Sequence, residues 1–257
     1  HNPEKTFFKK VYKRYTNFGK QRIRIDATGS SNTLRLNEET KLSFTVPRHG
    51  DLLHDTYLVV RLPDIWSPLY LNEETGSGQG GVFVEYGFRW IKELGASMIS
   101  KVEVLGGGML LAEYTGEYFS MLAHRDFNQR KLNLWNEMTG NVKEMNEPEN
   151  AFGRENQYPN AYNTNGNNIR PSIQNRTLFI PLETWFSSNI GCSIPIIALP
   201  LNEIKINVYL RPIRELYVIR DVKDHQNDFP FIAPNFNQDY MQLYHFLSPP
   251  SETLHEP

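Results

Sequence analysis

The sequence is poor in the residues on which covalent cross-links and metal chemistry depend. Its one cysteine, Cys192, excludes a disulfide within the chain and is typical of a reducing compartment such as the cytosol. Because Cys192 lies in an apolar connecting segment, we expect a small buried side chain rather than a nucleophile. The seven histidines form no HxH or HxxxH pair, so no zinc or cupin-type site is indicated.

Net charge and long apolar runs are also lacking. The 27 basic and 29 acidic residues nearly cancel, which argues against a protein whose main task is to neutralise nucleic-acid phosphates. No run approaches the ~18 apolar residues of a membrane-spanning helix. We therefore expect no specific nucleic-acid partner and no membrane-spanning helix.

Two short motifs imitate catalytic sequences without their context. The glycine-rich stretch 76–81 precedes a strand-like run, whereas a dinucleotide-binding loop follows a strand and opens a helix. The triplet His124-Arg125-Asp126 resembles a kinase catalytic loop, but that loop needs an asparagine where this chain has Lys131. Both matches are therefore interpreted as chance.

One group of polar side chains surrounds Gly50, and it consists of His49, Asp51, His54 and Asp55. A turn with satisfied side chains explains the group at least as well as a metal site does, and we favour the turn. The sequence predicts no catalytic residue, no cofactor and no metal site, so the protein is not expected to be an enzyme.

The strongest structural signal is alternation with a period of two residues. In residues 203–210 the apolar side chains of Ile204, Ile206, Val208 and Leu210 alternate with polar ones, which is typical of a strand with one face on a core. We predict that Ile204, Ile206 and Val208 are buried and that Lys205 and Asn207 are much more exposed.

Similar strand signals recur along the chain and are closed by proline or glycine. The predicted strands are 22–27, 41–46, 56–62, 99–105, 109–114, 177–182 and 203–210, with an eighth at 241–247. Glycines 106–108 predict a hairpin turn between the fourth and fifth of these strands. The pattern favours an all-β protein, an antiparallel jelly-roll sandwich that forms one domain over residues 20–250.

Two connections, 63–98 and 115–176, are much longer than the turns that close a jelly roll. The second contains helix-like stretches at 117–124 and 130–138. We predict that both connections gather at one end or flank of the sandwich and form contacts with neighbouring subunits. Aromatic side chains favour such interfaces, and the candidates are Phe119, Phe127, Trp135, Phe152, Tyr158 and Tyr162. Deletion of residues 140–170 is expected to leave the sandwich folded and to abolish assembly.

The N-terminal arm, residues 2–19, has the pattern of a basic amphipathic helix. Apolar residues recur at helical spacing from Phe8 to Phe18, and the opposite face carries Lys9, Lys10, Lys13 and Arg14. Residues 5–24 include eight basic and no acidic residues. We favour a solvated face on a helix beneath the domain. The alternative is an arm on the inward side of the domain that contacts an anionic partner.

Collinear sequence blocks resemble the major capsid proteins of nucleocytoplasmic large DNA viruses, especially those of giant viruses. The blocks include TFFKKVYKRYTNF at 6–18, VPRHGDLLHDTYLVVRLP at 46–63 and the hairpin block at 88–118. They also include the IPL…WF…NE…RPI pattern at 177–213 and two further blocks at 215–222 and 233–247. Together the blocks cover most of the chain from Asn2 to about residue 250.

The resemblance implies the first half of a double jelly roll, with 251–257 leading towards a second jelly roll. It implies a structural protein that forms homotrimeric, pseudo-hexagonal capsomers in an icosahedral virion shell assembled in the host cytoplasm. The implied partners are other copies of the chain, neighbouring capsomers and minor capsid proteins, with an inner membrane contacted through the basic arm. Because only the first domain is represented, trimerisation by this chain alone is in doubt. The alternative function is a carbohydrate-binding or cupin-like jelly-roll module.

Overall fold

A computed structural model describes residues 17–29, 33–72, 82–161 and 169–250. Antiparallel strands occur throughout the described chain from Thr40 to Ile232. In order they are β1 Thr40–Thr45, β2 Leu52–Leu53, β3 Tyr57–Leu62, β4 Leu69–Asn72, β5 Val82–Glu85, β6 Phe88–Trp90, β7 Ile99–Gly106, β8 Met109–Thr115, β9 Arg176–Pro181, β10 Ile194–Pro195, β11 Ile204–Leu210, β12 Tyr217–Arg220 and β13 Phe231–Ile232.

Four α-helices are present among the described residues: α1 Leu94–Ser97, α2 Gly116–Asp126, α3 Gln129–Thr139 and α4 Lys143–Asn146. The two longer helices confirm the helical stretches predicted from the sequence. Each begins at a side-chain cap, because Thr115 accepts a hydrogen bond from the Tyr118 amide and Asn128 accepts one from the Lys131 amide. Short 3₁₀ helices occur in the remaining connections.

The largest sheet has the strand order β1-β11-β7-β8, and all of its neighbours are antiparallel. Strands β3 and β9 form a second, two-stranded sheet. The inward faces of both sheets contribute to one hydrophobic core, which includes Val102, Val208, Leu178 and Ile180. The predicted antiparallel jelly-roll fold is therefore confirmed.

The predicted register of β11 is confirmed with one exception. Ile204, Ile206 and Val208 are buried and Lys205 is exposed, but Asn207 is buried as well. Its side chain accepts a hydrogen bond from Ser43 Oγ at 2.8 Å and donates one to Glu103 Oε2 at 3.2 Å. Asn207 is on the outward face, as its register requires, but neighbouring polar side chains cover it.

The predicted strand at 22–27 is wrong, because the described chain there makes no ladder. This segment crosses between the two sheets instead. The Arg22 guanidinium lies 5.4 Å from the centre of the Tyr57 ring, and Thr28 forms an isolated bridge with Ser43 of β1. Alternation at Ile23 and Ile25 was too short a signal to distinguish a strand from an extended crossing.

The predicted strand at 241–247 is also wrong. The segment forms 3₁₀ helices at Asp239–Met241 and Leu243–Phe246, which bury Met241, Leu243 and Phe246. Leu243 and Phe246 are three residues apart, which places them on the same face of a 3₁₀ helix. Cys192 likewise departs from expectation, because it is exposed in the connector between β9 and β10.

The two long connections contain much of the remaining regular structure. Residues 63–98 include β4, β5, β6 and α1, and β6 pairs with β12 in a three-stranded sheet with β13. Aromatic rings fill the space beneath this sheet. Phe88 and Tyr217 are stacked with their ring centres 4.8 Å apart, and Phe246 packs 5.4 Å from Phe88.

Candidate interaction surfaces

The two long connections pack against each other beside the end of the sandwich at which β7 begins and β8 ends. The buried carboxylate of Glu149 lies 2.5 Å from the Arg89 guanidinium, and Glu147 lies 2.7 Å from Lys92. Glu93 is contacted by Asn141 and by Ser120. Residues from 89–93 are therefore held to residues from 120–149 by polar contacts that span both connections.

The backbones of the two connections also approach closely. A Cβ atom on Gly116 would overlap the carbonyl oxygens of Ala96 and Ile99, and one on Gly95 would lie 2.7 Å from the carbonyl oxygen of Thr139. Such approach is possible only without a side chain. The helices α1, α2 and α3 therefore form a close-packed platform at this end.

Three of the six aromatic interface candidates are core residues, so the structure corrects their assignment. Phe119, Trp135 and Tyr158 are all buried within the chain. Phe119 belongs to the buried face of α2, and Trp135 packs edge-on against Phe127 at 5.8 Å. The aromatic residues of this connection do bury apolar surface, but they attach the connection to the sandwich and do not face a neighbouring copy.

The other three candidates differ from one another. Phe127 is half-buried, with Lys131 Nζ 3.5 Å from its ring centre. Tyr162 lies outside the described residues. Phe152 has a side chain that is 77% exposed. It is the exposed candidate among those that the structure describes.

Phe152 occupies an unusual backbone conformation. Its φ is 54°, that of Gly153 is 78°, and the Arg154 amide donates to the Ala151 carbonyl at 3.1 Å. Positive φ at both central residues is the geometry of a type I′ turn, which asparagine and glycine normally occupy. A bulky residue at positive φ is strained. The turn therefore presents the Phe152 ring to solvent at a conformational cost.

A shallow cavity of about 190 Å³ adjoins Phe152. Its walls include Met145, Pro148 and Ile173, and two arginines, Arg154 and Arg176, lie at its polar side. Arg176 is held by Glu144 at 3.3 Å, and Arg154 donates to the Pro148 carbonyl at 3.2 Å. An exposed aromatic ring beside fixed guanidinium groups is a combination enriched in protein–protein interfaces.

The described residues of the segment 140–161 contribute to the core, which argues against the expectation that 140–170 can be deleted without loss of the sandwich. Met145, Glu149, Ala151, Tyr158 and Ala161 are all buried. Burial raises the pKa of the Tyr158 phenol to about 12, and this hydroxyl contacts Ser67 at 3.0 Å. Deletion would therefore expose apolar surface and unpair buried polar groups.

The outward face of the four-stranded sheet carries a network of polar side chains centred on Glu103. Its carboxylate accepts from Lys101 Nζ at 2.6 Å, from the Tyr209 hydroxyl at 3.0 Å and from Asn207 Nδ2 at 3.2 Å. The hydrogen bond from Lys101 is the largest cause that lowers the pKa of Glu103. The network is satisfied internally, so it stabilises the sheet.

The basic arm candidates Lys9, Lys10, Lys13 and Arg14 lie outside the described residues. The described chain that follows them remains basic. Lys20 lies 3.4 Å from Asp55, and Arg24 lies 2.7 Å from Asp26. The chain therefore enters the domain beside the start of β3.

Several of the groups considered for chemistry make local contacts. His54 Nδ1 lies 2.9 Å from the Phe186 carbonyl oxygen, and His54 Nε2 lies 3.2 Å from Asp55. Across the part of the chain that the structure describes, no three His, Cys, Asp or Glu side chains come together as a possible metal site. Arg125 pairs with the adjacent Asp126 on the exposed end of α2. Within the same residues, no helix has the length and hydropathy needed to cross a bilayer.

Solved structures show which fold the chain adopts. The chain superposes on the PBCV-1 VP54 structure fitted into a reconstruction of the virophage Sputnik, with a TM-score of 0.52 and 21% identity over 80% of this chain and 38% of that one. For the Faustovirus major capsid protein the TM-score is 0.56, with 14% identity, and the match covers 81% of this chain and 45% of that one. The fold is thus the jelly roll found in these viral capsid proteins.

The sequence match identifies the family. The chain belongs to the family described as "Major capsid protein N-terminus", which it matches over residues 6–245. It is 31% identical over 229 residues to the major capsid protein of Chrysochromulina ericina virus, covering 83% of this chain and 38% of that protein. It is 28% identical to probable capsid protein 4 of Acanthamoeba polyphaga mimivirus, and the match covers 85% of this chain and 36% of that protein. The chain therefore spans less than half the length of these relatives.

Proposed function

We propose that the protein is a structural subunit of the icosahedral shell of a large DNA virus. The observation that carries this proposal is the family match over residues 6–245. The geometry supports it, since described residues of the two long connections pack closely against each other beside the jelly roll. Their function is then to hold contact surfaces in place, and the protein performs no catalysis.

The finer proposal concerns assembly. Copies of the protein associate as trimers that form pseudo-hexagonal capsomers, and these contact neighbouring capsomers and minor capsid proteins in the virion after assembly in the host cytoplasm. The connections 63–98 and 115–176, which include the platform of α1, α2 and α3, face outward and supply contacts between copies. The basic N-terminal arm faces inward, towards an internal membrane.

Within the connection 115–176, Phe152 is the residue proposed to contact a neighbouring copy. It is the most exposed phenylalanine among the described residues, and its strained turn holds it in place. Burying the ring between copies would supply apolar stabilisation on the order of 2 kcal/mol per contact. Arg154 and Arg176 beside it would contribute polar contacts at the rim.

The test is the oligomeric state of the purified full-length protein, measured by light scattering and by electron microscopy. We expect a trimer that dissociates in the variant Phe152→Ser. The matched control is Phe179→Ser, which removes another exposed phenylalanine from the outward face of β9. A protein that remains monomeric at all concentrations would contradict the assembly proposal. Equal effects of the two variants would contradict the role of Phe152.

A further inference from the structure

The connector from β9 to β11, residues 182–203, is seated on residues 51–56. The ladder of β2 with β10 joins the two segments, and so does a hydrogen bond of 3.3 Å from the Ile197 amide to the Asp51 carbonyl. The connector also presents apolar side chains to solvent, since Ile197 is 69% exposed and Leu201 93%. How firmly the connector is held on 51–56 therefore governs how this exposed surface is presented.

His54 lies at the junction of the two segments, and its side chain is 18% exposed. Nδ1 lies 2.9 Å from the carbonyl oxygen of Phe186 in the connector, and Nε2 lies 3.2 Å from Asp55 Oδ1. A carbonyl oxygen and a carboxylate oxygen accept hydrogen bonds and do not donate them. Both contacts are therefore hydrogen bonds only when both ring nitrogens carry a hydrogen, which is the protonated imidazole.

The neutral ring would make a different set of contacts. One of its nitrogens lacks a hydrogen, and in the present arrangement that nitrogen faces an acceptor oxygen with which it cannot bond. The hydroxyl of Ser193 offers a substitute for Nδ1, since Oγ lies 3.3 Å away. In the structure this hydroxyl donates to the Ile190 carbonyl at 2.7 Å, so turning it to the ring breaks a bond within the connector. Protonation therefore decides which hydrogen bonds the connector makes.

We propose that His54 is a pH-sensitive latch, which fastens the connector when its ring is protonated and releases it when the ring is neutral. Histidine is the residue type whose charge changes between about pH 5 and 8. The latch lies directly beside the ladder, because Leu53 of β2 precedes His54 and its partner Ile194 of β10 follows Ser193. Loss of one hydrogen bond at this place lets the ladder open more often, and the exposed segment around Ile197 becomes mobile with it.

Charged groups from the N-terminal segment, the connector and α3 face the latch. Asp55 pairs with Lys20 at 3.4 Å, and Glu183 at the start of the connector lies 3.9 Å from Lys131 of α3. Both lysines stay charged throughout the range in which histidine titrates. Glu183 interacts electrostatically with His54 and Asp55, and burial is the largest cause that raises the pKa of its carboxyl. Glu183 is therefore the group whose titration has to be separated from that of His54.

The two titrations act on stability in the same direction. A proton on His54 adds a hydrogen bond that the unfolded chain lacks, so this contribution is present at low pH and is lost as the pH rises through the titration of the ring. Because the pKa of Glu183 is raised in the folded protein, the folded state also binds its proton more readily than the unfolded chain does. The pH dependence alone cannot identify the group, and substitutions are needed.

The test is hydrogen–deuterium exchange of the full-length protein at about pH 5.5 and about pH 7.5, followed by mass spectrometry and corrected for intrinsic exchange rates. We expect the amides of residues 186–198 to be about tenfold better protected at the lower pH, as one hydrogen bond from a charged group can provide. His54→Gln should remove this difference. The matched control His124→Gln replaces a histidine on α2 that contacts the Ser120 carbonyl and Glu93, and it should retain the difference.

Equal protection at the two pH values in the parent would overturn the inference, and so would a difference that survives in His54→Gln. Glu183→Gln should retain the difference, because it leaves the ring and both of its acceptors in place. If Glu183→Gln removed the difference, the carboxyl would be the titrating group and the latch would be wrong.

Circular dichroism shows whether each variant folds. If His54→Gln does not fold, Asp55→Asn serves instead, since it removes the carboxylate that accepts from Nε2 and should reduce the difference in protection. An unchanged difference in that variant would also contradict the latch. Exchange is measured whatever the oligomeric state, so a negative result leaves the proposed assembly of the shell untouched.

Discussion

The hydroxyl oxygen of Tyr158 lies 2.8 Å from both the main-chain nitrogen and the carbonyl oxygen of Phe88. It accepts a hydrogen bond from the Phe88 amide and donates its proton to the Phe88 carbonyl, so the Ser67 hydroxyl must donate to it at 3.0 Å. These are the two bonds that a residue of an adjacent strand would make. Tyr158 thus closes the edge of β6 and fixes the second long connection to the sheet.

Replacing Tyr158 by phenylalanine should therefore be costly although it removes a single atom. The Phe88 amide and carbonyl would be left buried without a partner, which costs about 1–3 kcal/mol in the free energy of unfolding. Urea denaturation measures the change. The control is Tyr118→Phe, because the Tyr118 side chain is exposed, and it should change stability by less than about 0.5 kcal/mol. Equal effects of the two substitutions would contradict this role of Tyr158.

Two ion pairs in the same region offer a comparison between buried and exposed charge. The Arg89–Glu149 pair joins β6 to the second connection, and the Glu149 side chain is 8% exposed. In the Lys92–Glu147 pair the lysine side chain is 72% exposed. We expect Glu149→Gln to destabilise the protein by about 3–5 kcal/mol, since it leaves the arginine without a charged partner.

The matched change Glu147→Gln should cost no more than about 1 kcal/mol, because solvent screens an exposed pair. Thermal unfolding followed by circular dichroism measures both variants under the same conditions. A cost for Glu147→Gln that equals or exceeds that of Glu149→Gln would show that the position of Glu149 does not matter.

The strands that were predicted correctly from the sequence share one physical property. β11 alternates apolar and polar residues, β3 is a nearly continuous apolar run, and a proline follows each within two residues, so a sustained apolar pattern with a defined end marks both strands. The segment 241–247 lacks such alternation. Its apolar residues pack beneath the sheet of β6 and β12, and tertiary contacts rather than local pattern determine its conformation.

The candidate surface was harder to predict than the fold. Aromatic composition is the same for a core residue and for an interface residue, so Trp135 and Phe152 could not be distinguished without the backbone. Phe152 has a positive φ and is followed by Gly153. This glycine was the one local sign of a turn in the sequence. Exposure at Leu201 and Ile197 could not be predicted because an apolar connector is normally buried.

Shortening the second connection should succeed at one place and fail at another. The Arg170 amide donates to the Ala161 carbonyl at 3.1 Å, so the two flanks of residues 162–168 are already adjacent. We expect a two-residue glycine linker in place of 162–168 to change stability by about 1 kcal/mol or less. Deletion of 140–170 should instead unfold the protein, since it removes several buried side chains. Limited proteolysis and circular dichroism distinguish the outcomes, and a folded 140–170 deletion would contradict the assignment of this segment to the core.

The Glu103 network predicts a specific dependence of stability on pH. Hydrogen bonds from Lys101, Asn207 and Tyr209 hold the pKa of Glu103 below its ordinary value in the folded protein. In the unfolded chain the group titrates near the ordinary value of about 4.3. The folded state therefore binds fewer protons in this range. The stabilisation is fully present above the unfolded pKa and is lost as the pH falls through the folded pKa.

The variant Glu103→Gln removes this titration while it keeps the size of the side chain. We expect it to be less stable than the parent at pH 7 by about 1.5–3 kcal/mol, because charge-assisted hydrogen bonds are replaced by neutral ones. The difference should shrink as the pH is lowered from about 5 towards the folded pKa, where the parent also loses the charge. Urea denaturation at a series of pH values measures this difference directly.

Other carboxylates with lowered pKa values, such as Glu117 and Glu147, titrate in both proteins and cancel in the comparison. The control Glu113→Gln changes the residue that faces Glu103 across the β7–β8 pair and that is 48% exposed, and it should leave the pH profile nearly unchanged. A Glu103→Gln profile parallel to that of the parent throughout the acid range would show that the network does not stabilise the sheet through this charge.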